Sequence, residues 1–314
     1  KLGNAGWMKI GRQEMKYDNE RILGARNWGQ TGMAYDALLF KLKLAQWNVH
    51  VAGSWNSLAE NLTDNLYPAS RIKSLNFIWL NRKFNDKFTL SLLHVAAGVT
   101  QTDSTNKLNF RQTSGLYTEY KSGNFSSWAD AYYQFGKSKS GLDVSAFLAQ
   151  AEVSYKTGII TPGVGYGFFS GNSTIGSQMK TDHVFDILYG ARHRYFGLMD
   201  YFRTYSSNTK QGGLTDLNYF VDCKLSKTVS LKNAGHFLGL AQTNTSTPDK
   251  KYLGYENDLL LNYKFADWGA FEAGYFFIMP TEALKELQGV AKDKYSHYFY
   301  AMLTISPTIF KQAQ

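Results

Sequence analysis

Apolar and polar residues alternate with a period of two through most of this chain. Trp47-Asn48-Val49-His50-Val51-Ala52-Gly53-Ser54-Trp55 is the clearest run, its odd positions suited to oil and its even positions to water or a polar lumen. Successive side chains on a β-strand point to opposite faces, so this period predicts strands with two chemically different sides. Fourteen such segments follow one another, at about 6–16, 33–44, 46–57, 71–83, 87–100, 108–121, 125–137, 142–155, 158–170, 213–224, 228–242, 252–265, 269–279 and 295–309. Short turns and longer connections separate them alternately. Strands of roughly ten to fifteen residues cross a bilayer at a tilt. The predicted fold class is therefore all-β, a transmembrane antiparallel β-barrel of about 14 strands with its polar side inward. The even number puts both ends of the series and the short turns on one side, as when long loops face outward.

Parity assigns individual faces. In 252–265, Leu253, Tyr255, Leu259, Leu261, Tyr263 and Phe265 share one side, and Glu256, Asp258, Asn262 and Lys264 share the other. Acidic groups facing lipid are costly, so the second set is expected to point inward. In 33–44, Leu38, Phe40, Leu42 and Leu44 are expected outward, with Lys41 and Lys43 inward. Gly163, Gly165 and Gly167 alternate with Val164, Tyr166 and Phe168 and are expected to leave space inside. The first segment has no clear parity, because either assignment exposes a charged residue to lipid.

Composition agrees with this picture. Aromatic residues make up 16% of 314 positions, with only 5 Pro, which suits interfacial girdles and unbroken strands. No run approaches the roughly 18 apolar residues of a helical span. The lone Cys223 excludes an intrachain disulfide and is expected to be a packed small residue. A net charge of +9 suits nucleic acid, an anionic membrane surface or an anionic solute. Nucleic acid would favour dense basic patches or a reading module. The basic residues are instead scattered, as at Lys41, Lys43, Arg71, Lys73, Arg111, Arg192, Arg203 and Lys264, so no nucleic-acid partner is expected. In a barrel such scatter lines a passage, although the same residues also suit solvent at strand ends and loops. The six histidines lie on separate elements without metal-ligand spacing, and no Gly-x-Ser-x-Gly elbow occurs. No enzymatic activity, metal or cofactor is expected.

Three groups of residues, in order, carry a resemblance to a known family. The first is Lys9-Ile10-Gly11-Arg12-Gln13-Glu14 with Arg21, Arg26, Trp28 and Tyr35-Asp36-Ala37. The second is Phe185-Asp186-Ile187-Leu188-Tyr189-Gly190 with His193 and Gly197-Leu198-Met199-Asp200-Tyr201-Phe202. The third is Leu253-Gly254-Tyr255-Glu256-Asn257-Asp258 with Tyr263-Lys264-Phe265, Ala273-Gly274-Tyr275, Thr281, Leu284 and Gly289. Together they resemble the alginate-export family of outer-membrane β-barrel porins, in the form found in Bacteroidetes-type genomes. The resemblance implies an eighteen-stranded barrel with an electropositive lumen that passes anionic or small polar solutes, alginate for some members only. About four strands of the family pattern precede the Gly11-Arg12-Gln13 motif. Two alternatives follow, a closed barrel of fourteen strands or the ordered part of a longer protein.

The expected organisation is a single outer-membrane β-barrel domain over 1–314, with the long segment 171–212 folded into or over the lumen. Loops of that length are usually functional or disordered, and this one is rich in aromatics. By resemblance Arg12 is the leading pore residue, and a structural pair with Asp36 is the alternative. Arginine suits the role because it stays charged and grips carboxylates bidentately. The pore-lining or solute-binding set expected is Arg12, Arg21, Arg26, Asp36, Lys41, Lys43, Arg192, His193, Asp200, Arg203, Glu256, Asp258 and Lys264. The expected function is passive diffusion of anionic or small polar solutes across the cell outer membrane. Lysine and arginine would concentrate the anion, while neighbouring Glu256, Asp258 and Glu272 prevent tight trapping. Expected partners are outer-membrane lipid, an anionic or polar solute such as a uronate-like saccharide, and other outer-membrane proteins. The alternative function is a structural barrel subunit of a larger outer-membrane complex with little or no transport.

Overall fold

A computed structural model describes residues 6–28, 32–57, 67–290 and 296–308. Its strands are β1 (Gly6–Gln13), β2 (Tyr35–Leu44), β3 (Trp47–Trp55), β4 (Ser74–Lys83), β5 (Phe88–Thr100), β6 (Leu108–Ser122), β7 (Phe125–Lys137), β8 (Asp143–Tyr155) and β9 (Ile160–Phe169). A two-residue strand β10 (Thr181–Asp182) follows, then β11 (Leu214–Lys224), β12 (Val229–Gly239), β13 (Tyr252–Ala266), β14 (Gly269–Pro280) and β15 (Ser296–Ile305). Fourteen of them lie in sequence order in one antiparallel sheet, from β1 to β15, with β10 pairing in parallel with β8 off that path. Among the described residues there are also two short α-helices, α1 (Tyr205–Asn208) and α2 (Glu282–Gln288), and two single 3-10 turns at Gly176–Gln178 and Arg192–Arg194. Among the described residues, no helix is long and apolar enough to cross a membrane. Residues 295 and 309, the expected limits of the last strand, lie outside the described residues.

The alternation maps onto the sheet as its period requires. In β3, Ala52 and Ser54 are buried while Val51 and Trp55 are exposed. The buried side carries the core, so it is the inner face. On β2 the same face holds Tyr35, Ala37 and Leu39, and Lys41 and Lys43 continue it toward the turn end. Gly163, Gly165 and Gly167 also lie inward, but the space beside Gly163 is taken. A Cβ there would meet the Phe220 ring at 2.2 Å, so this glycine lets a neighbouring aromatic lie flat on the wall.

Two departures have local causes. β1 stops at Gln13 because the chain then leaves the sheet and turns inward. Met15 is buried, and the Tyr17 ring meets His50, Phe77 and Trp79 on the inner face of β3 and β4. On β13, Leu253 does not face outward with Tyr255 and Leu259. The register with β12 slips there, with Leu238 opposite Gly254 and Gly239 opposite Tyr252. This bulge reverses one side chain, and Leu253 is buried in the core that also holds Ala283, Leu284 and Leu287 of α2. That helix is bounded by Thr281, whose side chain accepts from the Leu284 amide, and by Gly289 in the left-handed region at φ 69°.

Two segments pack on the inner face, 14–28 and 170–213. They also pair with each other. The Gly24 amide donates to Tyr189 O (3.0 Å), Tyr189 N to Ile22 O (3.2 Å) and Ala191 N to Glu20 O (2.9 Å). Phe169, Phe185, Phe196, Phe202 and Tyr205 form the buried aromatic centre of this inner layer.

Candidate functional site

Polar side chains on the wall hold the inner segments in place. Asp18 accepts from Trp79 Nε1 (3.1 and 3.0 Å) and from Ser91 Oγ (2.6 Å). Burial raises its pKa, and these two hydrogen bonds oppose the rise. Asp130 accepts from Asn19 (2.6 Å) and Gln150 (2.8 Å). Arg21 is buried between wall and segments. It donates to Gln150 Oε1 (2.8 Å), and its guanidinium lies 3.3 Å from the Tyr195 ring centroid, 4.8 Å from that of Phe169 and 4.9 Å from that of Phe196. Burial lowers its pKa, and the nearby Tyr195 and Asp130 favour the charged form.

The 170–213 segment has two further anchors. Arg111 on β6 binds Asp182 (2.6 Å) and the Val184 carbonyl (3.1 Å), beside Gln134, which donates to the Asp186 carbonyl (2.7 Å). On β13 the buried carboxylates of Asp258 and Glu256 accept from the Leu198 amide (2.9 Å) and the Met199 amide (2.8 Å). His236 stands beside them with its Nδ1 on Asp216 (2.9 Å). The turn fits this latch because Gly197 adopts φ 86° with Glu256 directly over it.

Below the anchors lies a cavity of about 1150 Å³, walled by β6 to β9 and β11 to β15 and roofed by both inner segments. Three arginines share its roof. Arg26 donates to Gly190 O (2.9 Å) and Leu188 O (3.0 Å), and Arg192 donates to Leu188 O (3.4 Å). Arg203 is exposed, and no carboxylate partner for it occurs among the described residues. Backbone carbonyls therefore orient Arg26 and Arg192 without neutralising them. The Arg26 pKa falls to about 10, through burial first and then repulsion from Arg192, with a smaller contribution from Arg203. Arg194, by contrast, pairs with Glu20 (3.3 Å). His193 also faces the cavity, its Nδ1 3.0 Å from Asp200 Oδ1 and its ring stacked on Trp28 with ring centroids 4.0 Å apart. Tyr300 of β15 meets the edge of Trp28, so the far end of the sheet reaches the same interior. Glu119, Glu152, Asp216, Asp258 and Glu272 face the cavity from the wall, and Asp18, Glu20 and Asp200 from the inner segments, where arginines outnumber the acids.

Of the residues expected from sequence, Arg21, Arg26, Arg192, His193, Asp200, Arg203 and Asp258 come together around this cavity. Glu256 lies beside it, buried beneath Gly197 as an anchor and not as an open wall. Lys41 and Lys43 lie inward but nearer the turns, Lys41 over the Trp7 ring (4.7 Å). Lys264 also lies at the turn end, bound to Asp267 (2.7 Å). Arg12 and Asp36 lie away from the cavity. Arg12 shares its side of β1 with the exposed Met8 and Ile10, and Asp36 shares its side of β2 with the exposed Leu38. They sit directly opposite in register and form a bidentate pair (3.0 and 2.8 Å) that braces adjacent strands on the outer wall. Arg12→Gln is accordingly expected to leave the reversal potential under a salt gradient unchanged. A shift as large as that from the roof arginines would return Arg12 to the passage. Tyr300 and Lys232 also line the cavity and were not expected, since nothing in their spacing marks them, and Trp28, part of the first motif but given no role there, lines it too.

A family model described as "Alginate export" matches residues 1–297. Among solved structures, OprD of Pseudomonas aeruginosa, an outer membrane protein, superposes with a TM-score of 0.62 at 13% identity, covering 96% of this chain and 75% of that one. OccAB1 of Acinetobacter baumannii gives 0.65 at 12% identity, covering 98% and 75%. Pseudomonas aeruginosa OpdK, crystallised with vanillate, gives 0.57 at 12% identity, covering 96% and 76%. No curated protein sequence matches the chain.

Proposed function

Because this chain belongs to the alginate-export family and has the fold of an outer-membrane β-barrel porin, we propose that it passes small anionic solutes through a constriction formed by its two inner segments. The observation that carries the reading is the Arg26–Arg192–Arg203 roof, three guanidiniums at one cavity with carbonyl partners or none. Charged rings at narrow points select ions by raising the local concentration of the opposite charge. Guanidinium suits a carboxylate because its fork meets both oxygens at once. The carboxylates on the opposite wall limit how tightly an anion is held, which passage requires as much as attraction. Vanillate, seen with OpdK, is a ring-bearing carboxylate. For this chain a solute of that kind, or a uronate-like saccharide, would set its carboxylate on the arginines and its ring beside Trp28 and Tyr300.

The test is ion selectivity in a planar bilayer. The native chain is expected to prefer chloride over potassium, and Arg26→Gln/Arg192→Gln/Arg203→Gln to reduce that preference on the order of tenfold. A native pore without anion preference, or a triple variant that keeps it, would overturn the reading. The aromatic centre formed by Phe169, Phe185, Phe196, Phe202 and Tyr205 favours a second reading. In it the interior is a permanent plug and the barrel serves a larger outer-membrane assembly. Absence of conductance, with other outer-membrane proteins co-purifying in fixed ratio, would select it.

A further inference from the structure

The loop end of the barrel is lowest between β7 and β8. Residues 138–142 join these strands, the shortest connection on that side among the described residues. The longer loops of outer-membrane barrels face outward, so this low rim meets the surface of the outer leaflet. An aromatic band beneath it marks the level. Phe110 of β6, Tyr133 and Phe135 of β7, Phe147 of β8 and Phe168 of β9 share the outer face by their registers. Tyr133 and Phe147 are exposed, and the Phe147 and Phe168 rings stack with centroids 5.1 Å apart. Belts of this kind sit where hydrocarbon gives way to headgroups.

Four exposed lysines stand directly above this band. Lys137 ends β7 and pairs across the sheet with Asp143 (2.7 Å). Lys139 lies in the short connection, where its carbonyl accepts from Asn109 Nδ2 (3.1 Å), and Lys107 precedes Asn109 by two residues. Lys180 leads into β10, whose Thr181 lies opposite Asp143. The patch thus spans β6, β7, β8 and β10, about 15 Å at the usual spacing of strands. The acids nearby have other partners. Asp143 is held by Lys137, Asp182 by Arg111 on the inner side, and Asp103 accepts from the Ala69 amide (2.7 Å). Lys107, Lys139 and Lys180 have no carboxylate partner among the described residues.

Cations at headgroup level over an aromatic band fit an amphiphile with phosphate in its head and acyl chains below. A free anion would leave the band unused, and a neutral lipid would leave the lysines unused. Ser140 and His183, both exposed among the lysines, offer hydrogen bonds to a sugar headgroup. We propose that this outer face of β6, β7, β8 and β10 docks one phosphorylated glycolipid of the outer leaflet. Lys107, Lys139 and Lys180 hold its phosphates, which lysine binds as a point charge, and Tyr133, Phe135 and Phe147 hold its acyl chains. The site backs onto an anchor of the interior, because Asp182 of β10 binds Arg111 (2.6 Å) on the other side of the wall.

Diphosphoryl lipid A added to the refolded chain in detergent micelles tests it, with bound lipid counted by native mass spectrometry. One lipid A is expected on each native barrel, and none of its dephosphorylated form at the same concentration. Lys107→Gln/Lys139→Gln/Lys180→Gln should weaken binding on the order of a hundredfold, about fivefold for each lysine lost at an anionic lipid surface. Lys224→Gln/Lys227→Gln, at the turn end, should bind like the native chain. Heat-modifiable mobility on gels reports that each variant has formed its barrel. No lipid A on the native chain, or unchanged affinity in the folded triple variant, overturns the proposal, as does equal loss in the turn-end variant. Equal binding of the dephosphorylated form overturns it too, and so does displacement by millimolar inorganic phosphate, which would mark a site for the free anion.

Discussion

Arg21→Met is expected to destabilise the interior and to open the pore. In the native chain this guanidinium is sandwiched by Tyr195, Phe169 and Phe196, is hydrogen-bonded to Gln150, and stands close to Asp130. Methionine fills much of the same volume but removes the positive charge nearby, leaving Asp130 buried with only Asn19 and Gln150 as hydrogen-bond donors. Losing the charged hydrogen bond to Gln150 costs about 1.5–3 kcal/mol, and the longer-range attraction to Asp130 goes with it. Asp130 would then need water, and water enters by loosening the 14–28 segment that Asn19 pins to it. The expected result is a lower thermal midpoint, read from heat-modifiable gel mobility, together with a larger and noisier single-channel conductance. Arg21→Lys should fall between the two, keeping the charge and losing the planar fork that stacks and donates together. If Arg21→Met leaves both midpoint and conductance at native values, the inner segments are held by other contacts.

The second large effect is expected at Gly197. A Cβ there would stand 2.1 Å from Glu256 Oε1, and the backbone has φ 86°. Glu256 has no room to yield, because it is wholly buried and already receives the Met199 amide. Gly197→Val adds a branched side chain in a left-handed conformation, at a cost of about 1–3 kcal/mol before the clash is considered. The turn is expected to lift from β13, taking the Leu198 and Met199 amides off their carboxylates and moving the nearby His193 and Arg192. Conductance should rise while the wall stays folded, since the Arg111–Asp182 and Arg21 anchors are untouched. Gly197→Asn separates the causes, because asparagine tolerates the backbone angle but still carries a Cβ. A native conductance in Gly197→Asn would mean that strain and not contact sets the effect.

The wall was legible in the sequence because its rule is local. Each residue of β3 could be assigned a side from its neighbours alone, and Lys41, Lys43, Asp258 and Lys264 were assigned inward correctly for the same reason. Leu253 was misassigned because a bulge is set by the partner strand's register, which alternation does not record. Arg12 sits near the end of a short strand whose parity was ambiguous, and its partner across the sheet is 24 residues away. The interior was less legible. Its two segments have no period of two, and Met15, Tyr17, Ile22 and Leu23 gave no sign that their apolar partners lay on β3, β4 and a loop far along the chain. Residues of the arginine roof were chosen for their chemistry. Their convergence depends on a backbone contact between 20–24 and 189–191, which has no signature in either stretch.

That contact also bears on how the molecule comes to be. Strands of the wall can zip up one after another, each on the edge left by the last, so their pairings are close in sequence. The strip at 20–24 must wait for residues some 165 positions later before its carbonyls and amides have partners, and contacts so distant along the chain form slowly. The neighbouring pairings of the wall are therefore expected to form ahead of the join between the two inner segments. On contact order alone, the constriction is expected to be completed after the wall that surrounds it.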